Sequence, residues 1–133
     1  MKIKKVSNGK ERYMDLLLSA DPDKSVVNRY LKEGELYIGL IGNKVVCEVI
    51  ITKVDEDTCE LKNIATLKEY RGKGYGNILF KELLKKCKDF EYKEIKLFPL
   101  KSNEATVKIM LKNGGEIIGD FKGEKYIILI PIK

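Results

Sequence analysis

Arg71-Gly72-Lys73-Gly74-Tyr75-Gly76 sets three glycines and two cations within six residues. Glycine lets a backbone turn sharply and lets a phosphate approach without a Cβ in the way. The stretch follows a strand-like run, Cys59 to Thr66, and opens a helix-like run, Asn77 to Phe90. The first N–H groups of a helix lack internal partners, and the helix dipole adds partial positive charge there. Strand, glycine turn and helix therefore predict an anion site suited to a pyrophosphate. Two common phosphate loops do not fit. Lys73 is followed by Gly74, so no hydroxyl is placed for magnesium, and Asn77 stands where the dinucleotide fingerprint needs its third glycine.

What other chemistry is open follows from what the chain lacks. It contains no histidine, which removes Ser-His and Cys-His nucleophile pairs and the common zinc sites. Any general base must be a carboxylate, a cysteine, a lysine, a tyrosine or a relayed water. Cys47, Cys59 and Cys87 are odd in number and have no metal-ligand spacing, so reduced thiols and no bound metal are expected. The basic N-terminus, Met1-Lys2-Ile3-Lys4-Lys5, has no apolar stretch or small-residue cleavage site behind it, and no apolar run nears the ~20 residues of a membrane span. A cytoplasmic protein without membrane contacts is the expectation. The net charge of +6 admits nucleic-acid binding. The lysines are interleaved with Glu and Asp, and no aromatic–basic ladder accompanies them, which favours a solvated surface.

The elements that must position the loop can be read in order. Lys2 to Val6 reads as a strand, and Lys10 to Ser19 and Asp23 to Lys32 as helices interrupted at Pro22, the second stopping at Gly34. Leu36 to Ile41 and Lys44 to Val54 read as a hairpin around Gly42-Asn43. Beyond the loop, Ile78, Leu79, Leu83, Leu84, Cys87 and Phe90 recur at helical spacing. Glu94 to Phe98 is a strand, and Asn103 to Lys112 a helix with Ser102 or Asn103 as N-cap and Gly114 as its C-terminal glycine. Ile117 to Phe121 and Lys125 to Ile130 close the chain as strands. At 133 residues this is one α+β domain. The order predicts a mixed, mostly antiparallel sheet of about seven strands flanked by four helices, with a parallel pair where the loop's helix crosses over.

The Arg-x-x-Gly-x-Gly stretch, set in that element order, resembles the acyl-CoA-binding loop of the GNAT N-acetyltransferase superfamily, and the order of elements is similar over the whole chain. The resemblance implies acetyl-CoA as acyl donor, held by Arg71, Gly72, Lys73, Gly74, Tyr75 and Gly76. It implies that the parallel strands splay, through a bulge near the end of the first, and that Ile64, Ala65 and Thr66 hold the thioester with backbone groups. The segment Asn103 to Gly114 is similar to the family's second cofactor segment, which implies that Asn103 hydrogen-bonds the pantetheine arm. Capping the helix is the other role open to Asn103.

By the same resemblance Glu60, eleven positions before Arg71, stands where the histone-acetylating branch has its general base. An amine is protonated at neutral pH and must lose that proton before it attacks a thioester. Glu48 on the preceding strand is the competing carboxylate, and water remains a third route. Met110 stands where many members carry a tyrosine that protonates the leaving thiolate. Tyr126 and Cys47 are the substitutes, or the thiolate leaves unaided. Gly115 replaces a frequent aromatic. The implied activity is transfer of an acetyl group to a primary amine in a ternary complex. A CoA-binding module without catalysis and a basic nucleic-acid-binding protein are the alternatives. The acceptor, small molecule or peptide, is left open, as is a homodimer. Pro22 to Gly34 and the hairpin after Phe121 are where acceptor choice is expected to lie.

Overall fold

The computed structural model describes residues 1–133. Its most deeply buried strand is β3, Lys44–Lys53, whose run Val45-Val46-Cys47-Glu48-Val49-Ile50-Ile51 is apolar save for one carboxylate. A strand buried on both faces needs such a run, because helices cover both sides of it. On one face lie α1 (Met14–Ala20) and α2 (Lys24–Glu33), packed over Val6, Leu36, Ile38 and Ile50. On the other lies α3 (Tyr75–Asp89), which sends Leu79, Phe80, Leu83 and Cys87 into a larger cluster with Val49, Ile51, Cys59, Leu61 and Ile95. Those four α3 positions recur every three or four residues, the spacing of one helix face.

The remaining strands are β1 (Lys2–Val6), β2 (Glu35–Ile41), β4 (Thr58–Thr66), β5 (Glu94–Leu97), β6 (Glu116–Phe121) and β7 (Lys125–Pro131), and α4 is Glu104–Lys112. They form one seven-stranded sheet in the order β1-β2-β3-β4-β5-β7-β6. Every neighbouring pair is antiparallel except β4 and β5, which α3 links by a crossover. The expected fold class is therefore the observed one.

Local differences have physical causes. The first helical run begins as a 3-10 turn, Lys10–Tyr13, entered through Gly9 in the left-handed region. α3 begins at Tyr75, two residues before the expected start, with Gly74 as N-cap at φ 87°. Asn103 is the N-cap of α4, and its Oδ1 accepts the Thr106 N–H at 3.2 Å. Gly34 ends α2 in an extended conformation, not a left-handed one. It is glycine for want of space: a Cβ there would lie 2.8 Å from the carbonyl oxygens of Ile51 and Tyr30.

Two features of β4 shape what lies beside it. Opposite Ile50 and Ile51 of β3 stand Asn63 and Leu61, so Lys62 is an extra, bulged residue. The bulge shifts the alternation of faces by one. Leu61 packs in the α3 cluster, while Asn63 turns to the other face and donates to the Leu17 carbonyl at 3.0 Å and the Tyr30 hydroxyl at 2.8 Å. Pairing of β4 with β5 stops at Glu60 opposite Lys96. Beyond that point the two parallel strands diverge and the β5-side edge of β4 has no strand partner. The bulge thus falls within the strand at Lys62, earlier than the expected place near its end.

Candidate active site

The glycine stretch folds as the sequence predicts for an anion site. Gly72 and Gly74 both take positive φ, at 75° and 87°, and a Cβ on either would meet nothing within 4 Å. An open cradle of bare backbone therefore stands at the N-terminus of α3. The first N–H of the helix that has an internal acceptor is that of Ile78, which donates to Gly74 O at 3.1 Å. The N–H groups of Tyr75, Gly76 and Asn77 precede it in the first turn, where no such partner exists. Gly76 has a different reason to be glycine. A Cβ there would press the Ile109 side chain at 3.3 Å, so the residue sets how closely α3 and α4 approach.

A cleft of about 770 Å³ opens from this cradle and runs along the unpaired end of β4 to α4 and the end of α1. Ile64, Ala65, Thr66, Arg71, Gly72, Gly74, Tyr75, Gly76 and Asn103 line it, nine of the ten residues assigned to acetyl-CoA by resemblance. Lys73 stands aside, with its ammonium 5.6 Å from the centroid of the Tyr70 ring. Arg71 Nε donates to the Thr66 carbonyl at 2.9 Å, tying the loop back to the end of β4. Asn103 both caps α4 through Oδ1 and borders the cleft. Its charged lining residues are Arg71, Lys108 and Lys112, with no carboxylate among them. Lys108 and Lys112, with Ala105 and Ile109, were not singled out in the sequence. Their spacing of three and four along α4 puts them on one face, a signal present in the sequence.

Glu60 lies outside this cleft, in a smaller neighbour of about 260 Å³. One of its carboxylate oxygens is 2.8 Å from Lys62 Nζ. Asp21, Tyr30, Phe98, Phe121 and Lys125 share that cleft. The two clefts abut. Ala20 borders the larger and Asp21 the smaller, and along β4 the smaller ends at Lys62 where the larger begins at Ile64.

The sequence profile described as the acetyltransferase (GNAT) family matches residues 7–115. The chain belongs to the GNAT acetyltransferase family. It is 36% identical over 74 residues to an uncharacterized N-acetyltransferase, YvbK, of Bacillus subtilis (strain 168); the match covers 56% of this chain and 48% of that protein, so it spans about half the relative's length. The crystal structure of a GNAT family acetyltransferase from Elizabethkingia anophelis with acetyl-CoA bound superposes with a TM-score of 0.88 at 25% identity, over 98% of this chain and 97% of that one. A Bacillus subtilis acetyltransferase in complex with CoA shares the fold with a TM-score of 0.89 at 23% identity, over 99% of each chain.

The other residues weighed for the GNAT reaction fall away from both clefts. Met110 is fully buried in the α3-side cluster. Gly115 has no room for a side chain, since a Cβ would lie 2.7 Å from the Met110 carbonyl oxygen and 3.1 Å from Ile128 and Ile130. Cys47 is buried beside Met1, and burial pushes its thiol up to about 11. Tyr126 carries the Lys101 ammonium over its ring. Glu48 is fully buried, and neither carboxylate oxygen has a hydrogen-bond partner. Burial alone raises its pKa well above the carboxylate range. Buried away from both clefts, its carboxylate has no route to an incoming amine. Of the two carboxylates, Glu60 is the one open to a cleft.

Proposed function

We propose that this GNAT protein transfers an acetyl group from acetyl-CoA to a primary amine by direct attack in a ternary complex. The observation that carries the reading is the larger cleft: bare helix N–H groups and a glycine cradle at one end, free strand edge at the other, and only positive charge on its walls. That donor set fits the pyrophosphate and thioester arm of acetyl-CoA. The backbone of Gly72 to Gly76 and the α3 N-terminus bind the pyrophosphate, with charge from Arg71 on the cleft wall and from Lys73 beside it. Asn103 faces the pantetheine arm, and the backbone groups that Ile64, Ala65 and Thr66 present on the β5-side edge of β4 align the thioester and stabilise its developing oxyanion.

The amine arrives from the smaller cleft as an ammonium ion. Glu60 accepts one proton, directly or through water, and passes it to solvent. The freed nitrogen attacks the carbonyl carbon, the C–N bond forms and the C–S bond breaks. The nitrogen's second proton ends on the departing sulfur, giving CoA thiol and the amide. With Met110 in the core, the thiolate leaves without a side-chain acid from α4, which a thiol tolerates near neutral pH.

Two measurements test this. Gly74→Ala puts a methyl into the cradle and strains a left-handed position by roughly 1–2 kcal/mol. Affinity for acetyl-CoA by calorimetry is expected to fall at least tenfold in a protein that still melts cooperatively; unchanged affinity would remove the loop from the site. Wild-type protein given acetyl-CoA and an amine panel is expected to release thiol only when an acceptor is present. A CoA-binding module without catalysis would bind the thioester and release none.

A further inference from the structure

The smaller cleft has a composition that narrows the acceptor. Resting on the acetyltransferase reading above, we infer that the acceptor is a free α-amino acid with an apolar, preferably aromatic, side chain.

The charges on its walls balance. Asp21 and Glu60 supply two carboxylates, Lys62 and Lys125 two ammonium groups. Glu60 and Lys62 pair with each other, which leaves Asp21 and Lys125 as the charges without an ion-pair partner. They stand on different walls. Asp21 comes from the α1–α2 junction, next to Ala20 of the larger cleft, and is held there by the Tyr30 hydroxyl at 3.2 Å. Lys125 comes from the start of β7, at the hairpin. The third component is apolar. Phe98 and Phe121 meet edge to face with ring centroids 5.8 Å apart, and Val26 extends the surface.

A ligand complementary to these walls carries a cation, an anion and an apolar group on one small frame. The ammonium sits between Asp21 and Glu60, on the side where the clefts abut and the thioester is expected. The carboxylate reaches toward Lys125, and the side chain lies on the phenyl rings. The volume is about 260 Å³. That suits a free amino acid and is too small for an aminoglycoside. Polyamines need a cleft with excess carboxylate, and here the two unpaired charges are opposite while the whole chain is at +6. A plain arylalkylamine would leave Lys125 buried against an apolar ligand without compensation.

The test reads binding and turnover separately. L-phenylalanine, phenethylamine and spermidine are titrated into the CoA-loaded protein by calorimetry and offered with acetyl-CoA in a thiol-release assay. Phenylalanine is expected to bind at least tenfold more tightly than phenethylamine and to have the higher kcat/KM. Lys125→Gln is expected to bring the ratio between those two ligands down toward one, and Phe121→Ala to weaken both. Spermidine or phenethylamine binding better than phenylalanine, no binding of phenylalanine at all, or an unchanged ratio in Lys125→Gln would overturn the inference. Phenylalanine that binds without thiol release would leave the cleft's ligand in place and overturn the transfer reaction instead.

Discussion

Two glutamates on adjacent strands of one sheet have opposite fates, and burial decides which. Glu60 has a lysine at 2.8 Å and a cleft in front of it, while Glu48 has no partner and no solvent. If Glu60 takes the proton, Glu60→Gln keeps the shape and lowers the rate by roughly 10²–10⁴-fold at neutral pH. The rate should recover in part as rising pH deprotonates the amine itself, and cofactor affinity should not change. A Gln variant at full rate would move the proton to bulk water. Glu48 makes a prediction about stability. Its folded pKa is raised, so between the unfolded value and the folded one the native state binds more protons than the unfolded state. The cost is absent below the unfolded pKa and grows as pH rises, by about 1.4 kcal/mol per pH unit, until the folded pKa is reached. Glu48→Gln removes the ionisation. Its melting temperature should match the parent at acid pH and exceed it increasingly as pH rises above the ordinary carboxylate range. A parallel pair of melting curves across that range would show that Glu48 does not carry the shift. The sequence displays both carboxylates but not this difference, because burial of one strand position depends on the helices that cover it.

At the scale of elements, α4 joins the larger cleft to the core through opposite faces. Asn103, Ala105, Lys108, Ile109 and Lys112 border the cleft, and Met110 points the other way, fully buried. Met110→Leu should therefore keep both rate and fold, since apolar volume is nearly conserved. Met110→Tyr should overpack and cost ~1–3 kcal/mol without raising the rate. Thermal melts run beside steady-state kinetics check both, and a faster Tyr variant would place that side chain at the sulfur. Much of this architecture was legible in advance. Helical spacing found Leu79, Leu83 and Cys87 of the buried α3 face but named Ile78 and Phe90, which are exposed, and not Phe80, which is buried; Asn103 and Gly114 marked the ends of α4, and Gly42-Asn43 the hairpin. What was not legible came from tertiary contact. The extra residue at Lys62 depends on register with β3, and Gly34 and Gly115 are glycine because other backbone crowds them. The start of α3 was misplaced because Tyr75 and Gly76 resemble turn residues, although they already lie in the first turn.

Across the whole molecule two chemistries adjoin along β4. The larger cleft carries only cations and the smaller one balanced charge, although the chain as a whole is at +6. The sequence shows the net charge but not this partition, since Lys108, Lys112 and Arg71 meet only when α4 lies beside the glycine loop. The partition has a kinetic consequence. CoA is a polyanion, and a cleft lined by one sign of charge concentrates the field that guides an oppositely charged ligand inward. Association of acetyl-CoA, followed by stopped-flow, should slow by about tenfold between 20 mM and 500 mM salt as the field is screened. Replacing Lys108 and Lys112 together with glutamine should lower the rate at low salt and flatten that dependence, because two of the three lining cations are gone. Dissociation should respond much less, since contacts made by backbone N–H groups at short range are poorly screened. An association rate indifferent to salt would mean that the net charge is spread too evenly to guide the ligand, and that the cleft captures its cofactor by contact alone.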